Sequence, residues 1–337
     1  MRKFLKTSLL SAALGLFLAF GAAPLHSQAA EASPVLLPQA ETAAQAPEAV
    51  AAAQAPEAVA VTQATEAAAV TQAPEAVAVT QAEAAAADTT AAAVPSVSLQ
   101  GKKLSILGDS ISTYTGTMPA DYNIYYPESG DLTSVNQTWW GQVLANTGMV
   151  LCRNASSANT NVTGNSLALD GSAPGCSIRR IVDLRGADGS SPDVIIIYMG
   201  INDFARSRTL GNFTAPGAQT EGEVMVFTDA YELMLQKIKA LYPSASIYCC
   251  TLLERCGMDG TTGAPSVNAN GDTVADFNAQ ITAIANAYGA SVIDFYNCGI
   301  NYTNLNLFTV DGIHPTQIGS GVLGQLASQV LLASSGV

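Results

Sequence analysis

Histidine is nearly absent from this sequence: 337 residues contain two. His26 lies close to the amino terminus, so any histidine-dependent chemistry of the folded part has one candidate, His314. Charge is scarce too, at 12% of residues, with 14 Lys and Arg against 27 Asp and Glu. From Gly101 onward 11 basic residues face 19 acidic ones and form no basic cluster. That argues against nucleic acid and anionic lipid surfaces as partners, since both are bound through concentrated positive charge. The most apolar internal stretch, Val194 to Met199, is far too short to span a bilayer. No C-x-x-C occurs and no His lies near the six cysteines, which argues against metal ligation. Residues 30–95 have no Phe, Tyr, Trp, Lys or Arg, so about a fifth of the chain cannot build a packed core.

What is present divides the chain into three regions. Residues 1–29 read as a secretory signal: Arg2, Lys3 and Lys6 precede a short apolar run, Leu9 to Phe20, and Ser27-Gln28-Ala29 supplies small residues for cleavage. The run is short for a membrane anchor. A secreted protein that is not integral to a membrane is the expectation. Export admits disulfides, and one or two pairs are expected among Cys152, Cys176, Cys249, Cys250, Cys256 and Cys298, with the remaining thiols buried. Residues 30–95 carry a nine-residue repeat marked by Gln45, Gln54, Gln63, Gln72 and Gln81, and Pro47, Pro56 and Pro74 interrupt its Ala-rich helical tendency. Ala and Val alone offer little area for stacking, so the repeat reads as a disordered tether rather than a solenoid, suited to association with a cell wall or surface.

Residues 96–337 alternate short apolar runs with longer amphipathic segments. Strands are expected over 103–107, 149–153, 193–199, 246–251 and 291–296, and helices over 139–147, 177–184, 221–241, 272–288 and 316–332. This alternation predicts an α/β fold of three layers, a parallel sheet with helices on both faces. Ligands of such sheets sit beyond the carboxyl ends of the strands.

Three polar clusters stand at those places: Gly108-Asp109-Ser110-Ile111-Ser112, Gly200-Ile201-Asn202-Asp203, and Asp311-Gly312-Ile313-His314 before Pro315. Each alone is ordinary turn chemistry. A serine hydroxyl needs a base to become a nucleophile, and with one histidine in the folded region that base is His314. Asp311, three residues earlier, can orient the imidazole through its other nitrogen. The competing role for His314 is a cap ahead of a helix begun by Pro315.

Together the clusters resemble the SGNH (GDSL) hydrolases, esterases and lipases on a flavodoxin-like sheet, over about residues 100–335. The resemblance implies Ser110 as nucleophile, His314 as general base and acid, and Asp311 as its orienting carboxylate. It also implies an oxyanion hole formed by the Asn202 side-chain amide and the Ser110 backbone N–H. The family's further glycine is missing: the chain reads Asn154-Ala155-Ser156-Ser157-Ala158-Asn159-Thr160. Asn159 is the expected third donor through its backbone, ahead of Ser157 or Ala158, because Asn tolerates positive φ. No metal or organic cofactor is required.

Two further features have competing readings. Asp109 and Asp203 are candidates for a glycosidase carboxylate pair, but Asp beside turn glycines more often bonds backbone. Trp139, Trp140, Tyr122, Tyr125 and Tyr126 are expected to divide between core and an aromatic platform beside Ser110. The leading function is a secreted serine esterase that removes acetyl or other short acyl groups from a polysaccharide. The alternatives are a lysophospholipase or short-chain lipase, and a non-catalytic surface module that binds carbohydrate.

Overall fold

Val194–Tyr198 reads Val-Ile-Ile-Ile-Tyr, and all its side chains are buried. Successive side chains of a strand point to opposite faces, so this strand must be covered on both. Its fully buried Ile195, Ile196 and Ile197 each stabilise the fold by about 1.5–3 kcal/mol. The computed structural model, which describes residues 98–256 and 264–336, places this strand at the centre of a five-stranded parallel sheet. The segments read as signal and tether lie outside the described residues.

The sheet contains β1 (Lys103–Gly108), β2 (Val150–Asn154), β4 (Val194–Tyr198), β6 (Ser246–Cys250) and β7 (Ser291–Ile293), in the order β2-β1-β4-β6-β7. Two short strands, β3 (Gly164–Asn165) and β5 (Glu223–Val224), pair antiparallel outside it. Counted along the chain, the sheet order is second, first, third, fourth, fifth, the flavodoxin-like arrangement. The chain leaves β1 to one side to form β2, then returns to the other side for β4. The loops after β1 and β4 diverge there and open a crevice at the carboxyl end of the sheet.

The helices are α1 (Trp139–Thr147), α2 (Ile178–Val182), α3 (Ile201–Ala205), α4 (Phe227–Leu241), α5 (Val274–Ala287), α6 (Leu305–Phe308) and α7 (Gln317–Ser334). α1 packs on α7, while α4 packs on α2 and α5. Their ends are coded locally. Thr138 caps α1 by accepting from the Gly141 N–H at 3.0 Å. Thr273 and Asp276 cap α5 reciprocally, and Thr316 caps α7 by accepting from Gly319 at 3.2 Å. The cap of α7 is therefore Thr316, and His314 does not serve as one.

Three expectations need correction. The helix expected from Glu221 begins at Phe227, because Glu223 and Val224 pair with β3 and the Glu221 carboxylate bonds Lys237 Nζ at 2.7 Å. The last strand stops at Ile293, since Asp294 turns aside to accept from Thr251 Oγ1 at 2.9 Å. The expected disulfides are absent: all six cysteines are free thiols. Cys152 in β2 is three strand positions from β6, roughly 14 Å at the usual spacing, beyond disulfide reach. Burial pushes the Cys249 thiol up to about 12, so it stays a protonated filler of the core.

Candidate active site

At the end of β1 a Cβ on Gly108 would stand 2.6 Å from both Ser112 Cβ and Ser156 Oγ. Only glycine fits there. The chain then turns through a single 3-10 turn, Ser110–Ser112, with the Asp109 carboxylate accepting from the Ile111 N–H at 3.1 Å. The turn is anchored from afar. The Ser112 carbonyl accepts from Trp140 Nε1 at 2.9 Å and Asn154 Nδ2 at 2.8 Å, and Ser112 Oγ accepts from Trp139 Nε1 at 3.1 Å. The aromatic cluster is thus mostly structural: Trp139, Trp140, Tyr122 and Tyr126 are buried, and of the five only the half-buried Tyr125 stands at the site.

The loop carrying Asp311 and His314 is built from its own residues. Asp311 Oδ1 accepts from the backbone N–H of Ile313 at 3.0 Å and of His314 at 2.8 Å, while Thr309 Oγ1 accepts from Gly312 at 3.1 Å. Asp311 Oδ2 lies 2.6 Å from His314 Nδ1. A carboxylate only accepts, so Nδ1 carries the hydrogen and Nε2 of the neutral ring is left as acceptor. Nε2 lies 2.8 Å from Ser110 Oγ, across 204 residues of chain. Burial would raise the Asp311 carboxyl, but the bond from the His314 ring and the two amides outweigh it and hold it at about 2. The serine, the imidazole and the carboxylate therefore form one continuous hydrogen-bonded line.

Besides the Ser110 N–H, the proposed oxyanion donors come from the first turn of α3 and from the loop that carries Asn159. Gly200, at φ 128°, turns β4 into α3, and Asn202 follows. Asn202 Nδ2 donates to the Thr160 carbonyl at 3.0 Å, which uses one of its two N–H groups and fixes the amide. Asn159 adopts φ 64°, the conformation that its residue type admits most readily after glycine. The two rival donors are committed elsewhere: the Ser157 N–H bonds the Gly108 carbonyl at 3.2 Å and that of Ala158 the Asn123 carbonyl at 2.9 Å. Arg206 secures the loop, donating to the Asn159 carbonyl at 3.2 Å and to the side-chain oxygens of Asn159 and Asn161.

Asp109 and Asp203 do not form a glycosidase pair. Both are buried, and both are engaged by N–H groups. Asp203 lies inside α3. It reaches back to accept from Val162 N at 2.7 Å, Thr163 N at 3.0 Å and Thr163 Oγ1 at 2.7 Å. Burial, partly offset by these bonds, lifts each carboxyl to about 6.

Arg180 was not legible in the sequence. Its guanidinium is fully buried and donates to the carbonyls of Gly108 (2.5 Å), Ala155 (3.0 Å) and Ala173 (3.0 Å) and to Thr160 Oγ1 (3.0 Å). It ties the end of β1 to the loop that carries Asn159. Burial lowers its pKa. Nothing in the sequence separates it from its solvent-reaching neighbour Arg179, which binds Asp121 and Asp183 instead.

Comparison with known proteins bears on the fold and the family. Residues 102–256 match the family model of the GDSL-like Lipase/Acylhydrolase. Among solved structures, the chain resembles one described as a GDSL-like lipase from Bacteroides ovatus, at 25% identity and TM-score 0.51, over 69% of this chain and 98% of that one. A second, from Bacteroides uniformis and described in the same words, shares 27% identity at TM-score 0.50, over 68% and 95%. A protein from Lactobacillus plantarum, 17% identical with TM-score 0.51 over 70% and 98%, shares the fold. No curated protein sequence matches the chain. The flavodoxin-like sheet with polar clusters at its carboxyl ends defines an α/β protein whose site lies at the strand ends. Residues 102–256 are thus similar to the SGNH (GDSL) hydrolases, and the comparisons support an ester-hydrolysing enzyme.

Proposed function

We propose that the protein is a secreted serine esterase in which Ser110 is the nucleophile, His314 the general base and acid, and Asp311 the carboxylate that orients it. The observation that carries this reading is the hydrogen-bonded line Ser110–His314–Asp311. As Ser110 Oγ bonds to the ester carbonyl carbon, its proton passes to His314 Nε2 and the carbonyl oxygen takes the negative charge. The Asn202 amide and the backbone N–H groups of Ser110 and Asn159 receive that oxyanion, and one such donor is worth about 2.7–4 kcal/mol of barrier. His314 then protonates the departing alcohol, and activates the water that releases the acid.

The substrate class follows from exposure. Asp311 is 42% exposed in its side chain, and the nucleophile stands at the open carboxyl end of the sheet. An acyl group displayed on a polymer can reach such a site, so acetyl or other short acyl esters of an extracellular polysaccharide are the substrates we assign. The charged leader at 1–29 supports export to that polymer, and the repeat at 30–95 supports a surface tether. One observation favours a lysophospholipase or short-chain lipase instead: Leu307, Val310 and Ile318, in the segments just before and after the 311–314 loop, are exposed apolar residues. Two exposures separate these readings, one to acetylated xylan or peptidoglycan and one to phospholipid, with released acid measured. Ser110→Ala is expected to lower p-nitrophenyl acetate hydrolysis by about 10⁴-fold or more. An undiminished rate in that variant would overturn the catalytic assignment, and release of fatty acid without acetate would overturn the glycan one.

A further inference from the structure

Tyr125 lies against the base more closely than packing requires. Its ring is stacked on the His314 imidazole with centroids 3.6 Å apart and planes 11° from parallel. Its hydroxyl donates to Asp311 Oδ2 at 3.4 Å, the same oxygen that receives the His314 Nδ1–H. One side chain therefore touches both partners of the nucleophile.

The tyrosine is itself held on two sides. Its backbone N–H donates to Thr113 Oγ1 at 2.9 Å, and the Thr113 hydroxyl donates to the Ser110 carbonyl at 3.0 Å. Behind it stands the buried Tyr126 ring, edge-on at 4.8 Å and 79°, whose hydroxyl donates to the Pro315 carbonyl at 2.8 Å. The segment that follows the nucleophile thus folds over the histidine loop and is fastened at Ser110 on one side and Pro315 on the other. Burial, the charge of Asp311 and the bond to it push the Tyr125 hydroxyl up to about 12, so it remains a donor.

We propose that Tyr125 is a positioning residue for His314: its stacked ring holds the imidazole in line with Ser110 and shelters the charge that the ring gains during acyl transfer. The inference rests on the reading of His314 as the base. When the Ser110 O–H bond breaks, the proton joins Nε2 and the electron pair forms the bond to carbon. The imidazole then carries a proton on each nitrogen and a positive charge beneath an aromatic face, an arrangement that such a face stabilises. The stack also removes the swinging motion that a side chain at the rim of the site otherwise keeps, and orientation of the base is worth much of its rate.

Three variants of the full chain test it. Tyr125→Ala and Tyr125→Leu are expected to lower kcat on p-nitrophenyl acetate about tenfold, with KM within about twofold. Tyr125→Phe, which retains the stack, is expected to stay within about threefold of wild type. Nuclear magnetic resonance supplies a readout independent of turnover. The carbon-bound ring protons of His314, assigned by their loss in His314→Asn, are expected upfield in wild type and Tyr125→Phe and to move downfield in the other two. A loss confined to KM would make Tyr125 a substrate contact and overturn the proposal, as would a Leu variant matching Phe in both rate and spectrum. Ser110→Ala with full activity would sink the triad reading itself, while the resonance positions would still report whether the stack exists.

Discussion

The turn that bears Ser110 and the loop that bears His314 meet at 2.8 Å, yet they are secured in different ways. The serine turn is anchored by side chains far away in the chain: Trp139, Trp140, Asn154 and Arg180, the last 72 residues from the carbonyl it holds. The histidine loop is anchored by its neighbours, with Asp311, Thr309 and the backbone bond from Val310 N to the His314 carbonyl (2.9 Å) closing it on itself. Ser110 is buried, while Asp311 is open to solvent. A catalytic line can therefore join a part that shares the stability of the whole core to a part whose backbone turn is set within six residues, with Tyr125 laid over its imidazole. Damage to the first should be felt as loss of folding, and damage to the second as loss of activity alone.

The widest expected gap between the two comes from Asp311→Asn. It removes the acceptor that fixes the imidazole tautomer, so kcat should fall about 10⁴-fold, while urea unfolding at pH 7 should lose no more than about 1 kcal/mol, because solvent screens the charge of the half-exposed carboxylate and Asn keeps an oxygen for the two backbone N–H groups. A large loss of stability would show that the loop is not self-contained. Arg180→Met is the counterpart. It strips donors from the buried carbonyls of Gly108, Ala155 and Ala173, and urea unfolding should register at least about 3 kcal/mol of destabilisation. Less than about 1 kcal/mol would mean that the serine turn is held without it.

The last contrast is the dependence of stability on pH. Asp109 and Asp203, at about 6 when folded against an ordinary 3.8, keep protons that the unfolded chain has released. Their contribution is greatest below about pH 4 and is lost as pH rises through about 6, on the order of 3 kcal/mol for each. Asp311 runs the other way: held at about 2, it adds stability above about pH 4 that disappears as pH falls toward 2. Urea midpoints from pH 4 to 7 should decline across pH 4–6, and Asp203→Asn should flatten that decline. A flat wild-type profile would mean that the two buried carboxyls ionise as freely as in the unfolded chain.

Much of this molecule could be read from the order of its residues. The β-branched run at 194–198 and the one histidine of the folded region, after Asp311, act through local rules of backbone and side chain. The positive φ of Asn159 was legible for the same reason. Other features had no local signal. Tyr125 and Tyr126 are adjacent in the chain, yet one stacks on His314 and the other fills the core. Arg179 and Arg180 are equally adjacent, and one reaches solvent while the other is the buried clamp. Cysteines that suggested disulfides proved to be free thiols.

The sequence by itself determined which elements form and which groups are capable of chemistry, because helix caps, strand burial and the Asp311–His314 turn depend on residues a few positions apart. Only the tertiary structure decided that Ser110 and His314 meet, that Arg180 rather than Arg179 braces them, and that Tyr125 covers the base. The physical reason is the same in each case: these contacts join segments 20 to 204 residues apart, and their partners are chosen by how the sheet and its covering layers close together, which no local pattern encodes.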